Sequence, residues 1–171
     1  RKDGKTISEL ILALPTDTKA KHFESLRYAI DNSVNSIMMF QAMMLIGTEM
    51  ASETTRKNHG LITKFRSLPD SVGTYHIRGE KHAVSEFQEI IVGSDTLPVE
   101  DYLNCRVMNL IVEAFYNNAK FEEVFALVRT LGASPFDCLL YLKDHPKLYS
   151  PTIQQIIDSF VSGAIDDLFD T

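Results

Sequence analysis

Polar side chains able to hold a ligand gather at two points early in this chain. The apolar run Ile7–Leu14, with Glu9 inside it, drains into Pro15-Thr16-Asp17-Thr18. The run Ser36–Ile46, with Gln41 inside it, drains into Gly47-Thr48-Glu49. Carboxylates, hydroxyls and an amide in and before such turns can hydrogen-bond a polar ligand. Glu9 reads either as a solvated carboxylate or as an inward charge that must have a partner. Gln41 reads as a core amide in a satisfied network or as a ligand contact. Arg66 and Arg106 have the charge to bind a substrate carboxylate, with interdomain ion pairs as the plainer reading. Gly47 is a turn requirement, since one glycine makes no nucleotide motif. The histidines at 22, 59, 76, 82 and 145 show no metal-ligand spacing, and no GxSxG elbow exists. No catalytic residue and no metal ligand is assigned.

The elements that must position these groups follow from periodicity. Both runs are apolar on successive residues, as in strands covered on both faces. Between them Phe23, Leu26 and Ile30 recur at helical spacing, with Lys19, Lys21, Glu24 and Arg27 outside that stripe. Strand, helix and strand starting 29 residues apart predict a parallel pair joined by a right-handed crossover. In α/β folds chemistry collects at the carboxyl ends of parallel strands, which here are the two turns. Met38, Met39, Met43 and Met44 read as flexible core filler. Residues 51–60 predict a short helix closed by Gly60, or a loop. Residues 61–95 read as an ordered, irregular connector with short strands near Tyr75–Ile77 and Phe87–Val92. From Pro98 the period becomes 3.6. A central helix carries Leu103, Val107, Leu110, Ile111 and Ala114 and breaks at Asn117-Asn118. A second ends at Gly132, and Ser134-Pro135 and Ser150-Pro151 each open another.

Composition bounds the rest. The chain has 171 residues, 44% hydrophobic and 23% charged, which are globular values. A net charge of −6 argues against a nucleic-acid partner. No apolar run approaches the roughly 20 residues of a membrane span. The start, Arg1-Lys2-Asp3-Gly4-Lys5, lacks the apolar stretch of a secretory signal. Cys105 and Cys138 lie 33 residues apart within apolar helical patterns, which predicts buried free thiols and a reducing cytoplasm. The expected fold class is α/β followed by all-α: residues 1–60 as the strand–helix–strand unit, 61–95 as the connector, 96–171 as the helical region. A sheet this small leaves an edge to be covered by neighbours in a longer parent chain or by a second copy, making a homo-oligomer.

The two turns also carry a resemblance. Glu9-Leu10-Ile11-Leu12-Ala13-Leu14-Pro15-Thr16-Asp17-Thr18 resembles the fifth-strand pattern E-(I/L)-I-x-G-L-P-G-E-T of the radical S-adenosylmethionine enzymes. Gln41-Ala42-Met43-Met44-Leu45-Ile46-Gly47-Thr48-Glu49 is similar to their sixth strand and its L-x-G-T-E loop. Thr63-Lys64-Phe65-Arg66 through Gly73-Thr74-Tyr75 resembles the stretch after the barrel. Glu89-Ile90-Ile91-Val92 with Glu100-Asp101-Tyr102 and Arg106 resembles the start of the appended helices. The nearest type is the cobalamin-domain-associated branch of methyltransferases and cyclases. The resemblance implies a partial parallel β/α barrel with an appended helical region, a 4Fe-4S cluster and S-adenosylmethionine in the parent enzyme, and cobalamin as an option. It implies Ser8, Glu9, Ile11, Gln41 and Met44 near the cofactor, and Thr48, Glu49 and Arg66 at a rim facing a small-molecule substrate. Three departures stand out. Ala13 replaces a glycine, Thr16-Asp17 replaces Gly-Glu, and the cluster-binding CxxxCxxC triad is absent. The expectation is therefore a carboxyl-terminal fragment that binds no cofactor by itself and needs the missing amino-terminal part of the parent. The rival expectation is a non-catalytic helical binding or oligomerisation module.

Overall fold

The computed structural model describes residues 4–170, without the side chains of Pro69 and Asp70. Arg1, Lys2 and Asp3, the first residues of the stretch expected to lack a secretory signal, lie outside the described residues. Among the described residues the fold is mixed α/β, with six α-helices and two two-stranded sheets and no closed barrel. Strands β1 (Ile7–Leu12) and β2 (Ser36–Gln41) are parallel, in register from Ile7 opposite Ser36 to Leu12 opposite Gln41. Helix α1 (Lys19–Asp31) joins them. Thr18 caps it, its side chain accepting the Lys21 N–H, and it buries His22, Leu26, Ala29 and Ile30.

Both strands are shorter than the apolar runs that carry them. At Ala13 the backbone turns into the left-handed region (φ 72°), which no strand residue adopts. Beyond Gln41 the chain leaves its partner for another. Ala42 still donates to the Leu12 carbonyl at 2.9 Å, but its own carbonyl accepts the Ile91 N–H at 3.0 Å. Met43 then bridges Ile90 in antiparallel fashion. Residues 42–44 thus stitch the first sheet to the second. On its outer edge β2 is capped from within the chain. The Asn117 side chain accepts the Ile37 N–H at 2.9 Å and donates to the Ile37 carbonyl at 2.8 Å.

The stretch read as an irregular connector with two short strands is a long antiparallel hairpin, β3 (Ile62–Ile77) and β4 (Glu80–Gly93); the expected strands at Tyr75–Ile77 and Phe87–Val92 fall within it. Its two-residue loop, Arg78-Gly79, holds both residues at positive φ (54° and 86°), the geometry that matches strand twist in hairpins. Pairing slips between Ser67 and Val72, around Pro69, which has no N–H for the ladder. That slip breaks the alternation that would have marked a strand. The hairpin base buries Ile90, Ile91 and Val92, while its distal half stands out with Val72, Tyr75, Ile77 and Val84 exposed. Short helix α2 (Glu53–Asn58) precedes it, capped by Ser52.

The helical region follows its sequence signals closely. Helix α3 (Val99–Val112) runs into one π turn ending at Asn117, and buries Tyr102, Cys105, Met108, Asn109, Ile111 and Val112. Helix α4 (Glu122–Thr130) ends before Gly132, whose φ is 73°. Helices α5 (Pro135–Asp144) and α6 (Pro151–Asp166) are capped by Ser134 and Ser150 with proline in the first turn. α5 packs on α1 and α3, and α6 on α3. After α6, Phe169 exchanges both backbone hydrogen bonds with Phe65, adding a bridge to the outer side of β3. Among the described residues no single helix is long and apolar enough to cross a membrane.

Candidate functional site

The turn after β1 is built by Asp17. Its carboxylate accepts the Ala13 N–H at 3.2 Å and the Thr18 N–H at 3.0 Å. Its own N–H closes a turn onto the Leu14 carbonyl at 3.0 Å, and its carbonyl accepts the Thr96 hydroxyl at 2.7 Å. These bonds hold Ala13 and also Thr16 (φ 68°) in the left-handed region, where a non-glycine residue is strained and a β-branched one more so. The turn after the second run bends at Gly47 (φ 85°). Thr48 is occupied locally: its hydroxyl donates to the Leu45 carbonyl at 2.7 Å and accepts the Ala51 N–H at 3.4 Å. Glu49 is exposed in the short 3-10 turn that follows.

The strand residues divide between two faces of the β1–β2 sheet. Ser8 and Gln41 lie on the face packed against the helices. Glu9 and Ile11 lie on the other, which is open and largely apolar. There Ile7 is 65% exposed, Ile11 48%, and Met38 and Phe40 44% each. Met44 belongs to neither face, because it is buried in the cluster around Ile90 and Tyr102. The five residues Ser8, Glu9, Ile11, Gln41 and Met44 therefore do not line one cavity. Only Glu9 and Ile11 share the open surface.

Gln41 and Arg66 do come together. The Gln41 side-chain N–H donates to the Tyr102 hydroxyl at 2.7 Å, and its oxygen accepts from Arg66 Nη1. Arg66 also donates to Gln88 Oε1 from Nε at 3.2 Å and from Nη2 at 3.0 Å. Burial pushes the Tyr102 hydroxyl above its ordinary pKa, against the pull of the Arg106 charge, so it stays protonated. The Arg106 guanidinium stacks 5.0 Å over the Phe160 ring. A cleft of about 710 Å³ opens beside this group, between β3, α3 and α6.

Sequence reasoning missed Tyr102 and Gln88 as partners. A buried tyrosine hydroxyl needs a hydrogen bond, and that was the available signal for Tyr102. Gln88 carried none. A second missed pair is Arg56 and Glu89, joined by two bonds of 2.5 and 2.8 Å that tie α2 to β4. Arg56, helped by Thr63, holds the Glu89 carboxyl below the usual carboxylate range.

The cysteines do not suit an iron–sulfur cluster. Cys105 is buried and Cys138 half-buried, both free, and burial pushes the Cys105 thiol up to about 12. Cluster ligands are thiolates, and burial disfavours that form of Cys105. Among the described residues no group of three His, Cys, Asp or Glu side chains could hold a metal ion. No known protein family and no curated protein matches this chain.

Proposed function

We propose that this chain is the carboxyl-terminal part of a radical S-adenosylmethionine enzyme, contributing the last strands of a parallel β/α barrel and a substrate-side helical region. One observation carries the reading. The glycines of the pattern that residues 9–18 resemble fall at positions 13 and 16, and both take left-handed backbone here although they are Ala and Thr. A turn that keeps the glycine conformation without the glycine is what descent from such a motif leaves behind. The parallel β1–α1–β2 unit supports the same reading, because its open apolar face suits the lumen side of a barrel whose other strands come from elsewhere.

Within that enzyme the parent reaction is reductive cleavage of S-adenosylmethionine, followed by methyl transfer or cyclisation, with cobalamin optional. Two thiols fall short of the three cysteines of a CxxxCxxC triad, so the cluster's ligands would come from the rest of that enzyme. What these residues supply is a wall: Ile11, Met38 and Phe40 exclude water, and Glu9 offers one carboxylate among them. The cytoplasm suits an oxygen-sensitive cluster and free thiols.

The second reading, a non-catalytic helical binding or oligomerisation module, is favoured by the exposed Leu127, Leu131 and Leu148 around α4 and α5. Reading the gene upstream of Arg1 separates the two. A CxxxCxxC motif about a hundred or more residues earlier, the distance four further β/α units need at ~30 residues each, supports the enzyme. A start codon just before Arg1 supports the module.

A further inference from the structure

We infer that the cleft between β3, α3 and α6 is a binding site for a small organic oxyanion, held between Arg66 and Arg106. The inference does not rest on the enzyme reading, since the cleft is built by elements other than the open sheet face.

Two guanidinium groups line one cleft of about 710 Å³ in a protein of net charge −6. Among the described side chains neither has a carboxylate within 4.0 Å, whereas Arg27 and Arg56 each do. Arg66 is held by two neutral amides, Gln41 and Gln88, which orient it without cancelling its charge. Three of its five N–H groups are thereby engaged, and the others remain for a ligand. The Arg106 side chain has no hydrogen bond among the described residues and stacks on the Phe160 ring. Its charge is disfavoured by burial and by the nearby Arg66, a repulsion that a bound anion would relieve.

Carboxylates are near but engaged or apart. Asp167, at the end of α6, lines the same cleft but makes no ion pair within 4.0 Å with either guanidinium, and Glu113 accepts a hydrogen bond from Asn117 at 2.5 Å. The remaining walls set the ligand's body. Leu68, Ile90 and Leu168 with Phe160 are apolar, and Ser67 and Ser159 add hydroxyls. Planar, forked donors over an apolar floor match a carboxylate or phosphate attached to a ring or short hydrocarbon.

The test titrates the 171-residue protein with benzoate and with phenyl phosphate, which share a ring and differ in head group, following amide chemical shifts and heat. The expected result is saturable binding of at least one probe, with a dissociation constant of about 1 mM or tighter. Whichever binds tighter identifies a carboxylate or a phosphate as the natural head group. Arg106→Gln should weaken binding by about tenfold or more, the loss of a charge-assisted contact, and Arg106→Lys by less. Lys57→Gln, an exposed cation on α2, should leave binding unchanged. If neither probe saturates, or if Arg106→Gln binds as the natural protein does, the site assignment is wrong. The wild-type titration decides this even where a variant fails to fold.

Discussion

Replacing Thr16 by glycine should stabilise this protein. Thr16 sits at φ 68° in an exposed turn, and among the described residues its hydroxyl makes no hydrogen bond; only its carbonyl is used, by Lys21 Nζ at 3.1 Å. Holding an L-residue in the left-handed region costs about 1–2 kcal/mol, and a β-branched residue sits at the upper end. Glycine removes that cost but gains unfolded-state freedom worth about 0.5–1 kcal/mol. The net is a stabilisation of about 0.5–1 kcal/mol, or roughly 1–4 °C in Tm for a chain of this size. Ala13 provides the internal contrast. It is equally left-handed (φ 72°), but its methyl is buried, and removing it costs about 0.8 kcal/mol of transfer energy. Ala13→Gly should therefore come out near neutral. Urea unfolding at constant m reads both variants directly. A clear loss of stability in Thr16→Gly, or a larger gain from Ala13→Gly, would show that the turn is not strained as described.

Three further outcomes follow from the same contacts. Glu89→Gln should cost about 1.5–3 kcal/mol by leaving Arg56 half-buried and unpaired, read by urea unfolding at neutral pH. Because the folded Glu89 carboxyl titrates below its unfolded value, its contribution is whole above about pH 4.5 and disappears as pH falls through the lowered value; the variant should flatten that acid slope. His22, buried against Asn109 at 2.8 Å, is lowered by burial, so stability should fall as pH drops below about 6.5, and a His22→Gln stability profile lacking that slope would bear this out. Asn117→Ala should cost about 1–3 kcal/mol by freeing the edge of β2, and light scattering should show a greater tendency to self-associate.

What the sequence made legible depends on how local its signals are. The parallel pair showed because both runs are apolar on successive residues, and the helices showed because Ser134-Pro135, Ser150-Pro151 and Gly132 mark their ends. Strand ends were lost where backbone conformation contradicts residue type, as at Ala13. The hairpin was lost because its turn is Arg-Gly rather than Asn-Gly, its distal half faces solvent, and Pro69 interrupts its alternation. At the cleft, the amide of Gln41 announced that it needed partners, but not which. Tyr102 is 61 residues away, and Arg66 reaches Gln88 only because the hairpin folds back on itself. Non-local contacts of this kind follow from the fold and not from spacing. Ser8, Glu9 and Ile11 illustrate the opposite limit, since alternation along one strand sends neighbours to opposite faces.

The most direct measurement is made anaerobically on two proteins: the 171-residue chain, and the same chain extended by the polypeptide encoded upstream. Each is reconstituted with iron and sulfide, reduced, given S-adenosylmethionine, and assayed for 5′-deoxyadenosine. A cluster and 5′-deoxyadenosine are expected from the extended protein and neither from the shorter one. A stable cluster on the 171-residue chain alone, or an extended protein that cannot cleave S-adenosylmethionine, would contradict it.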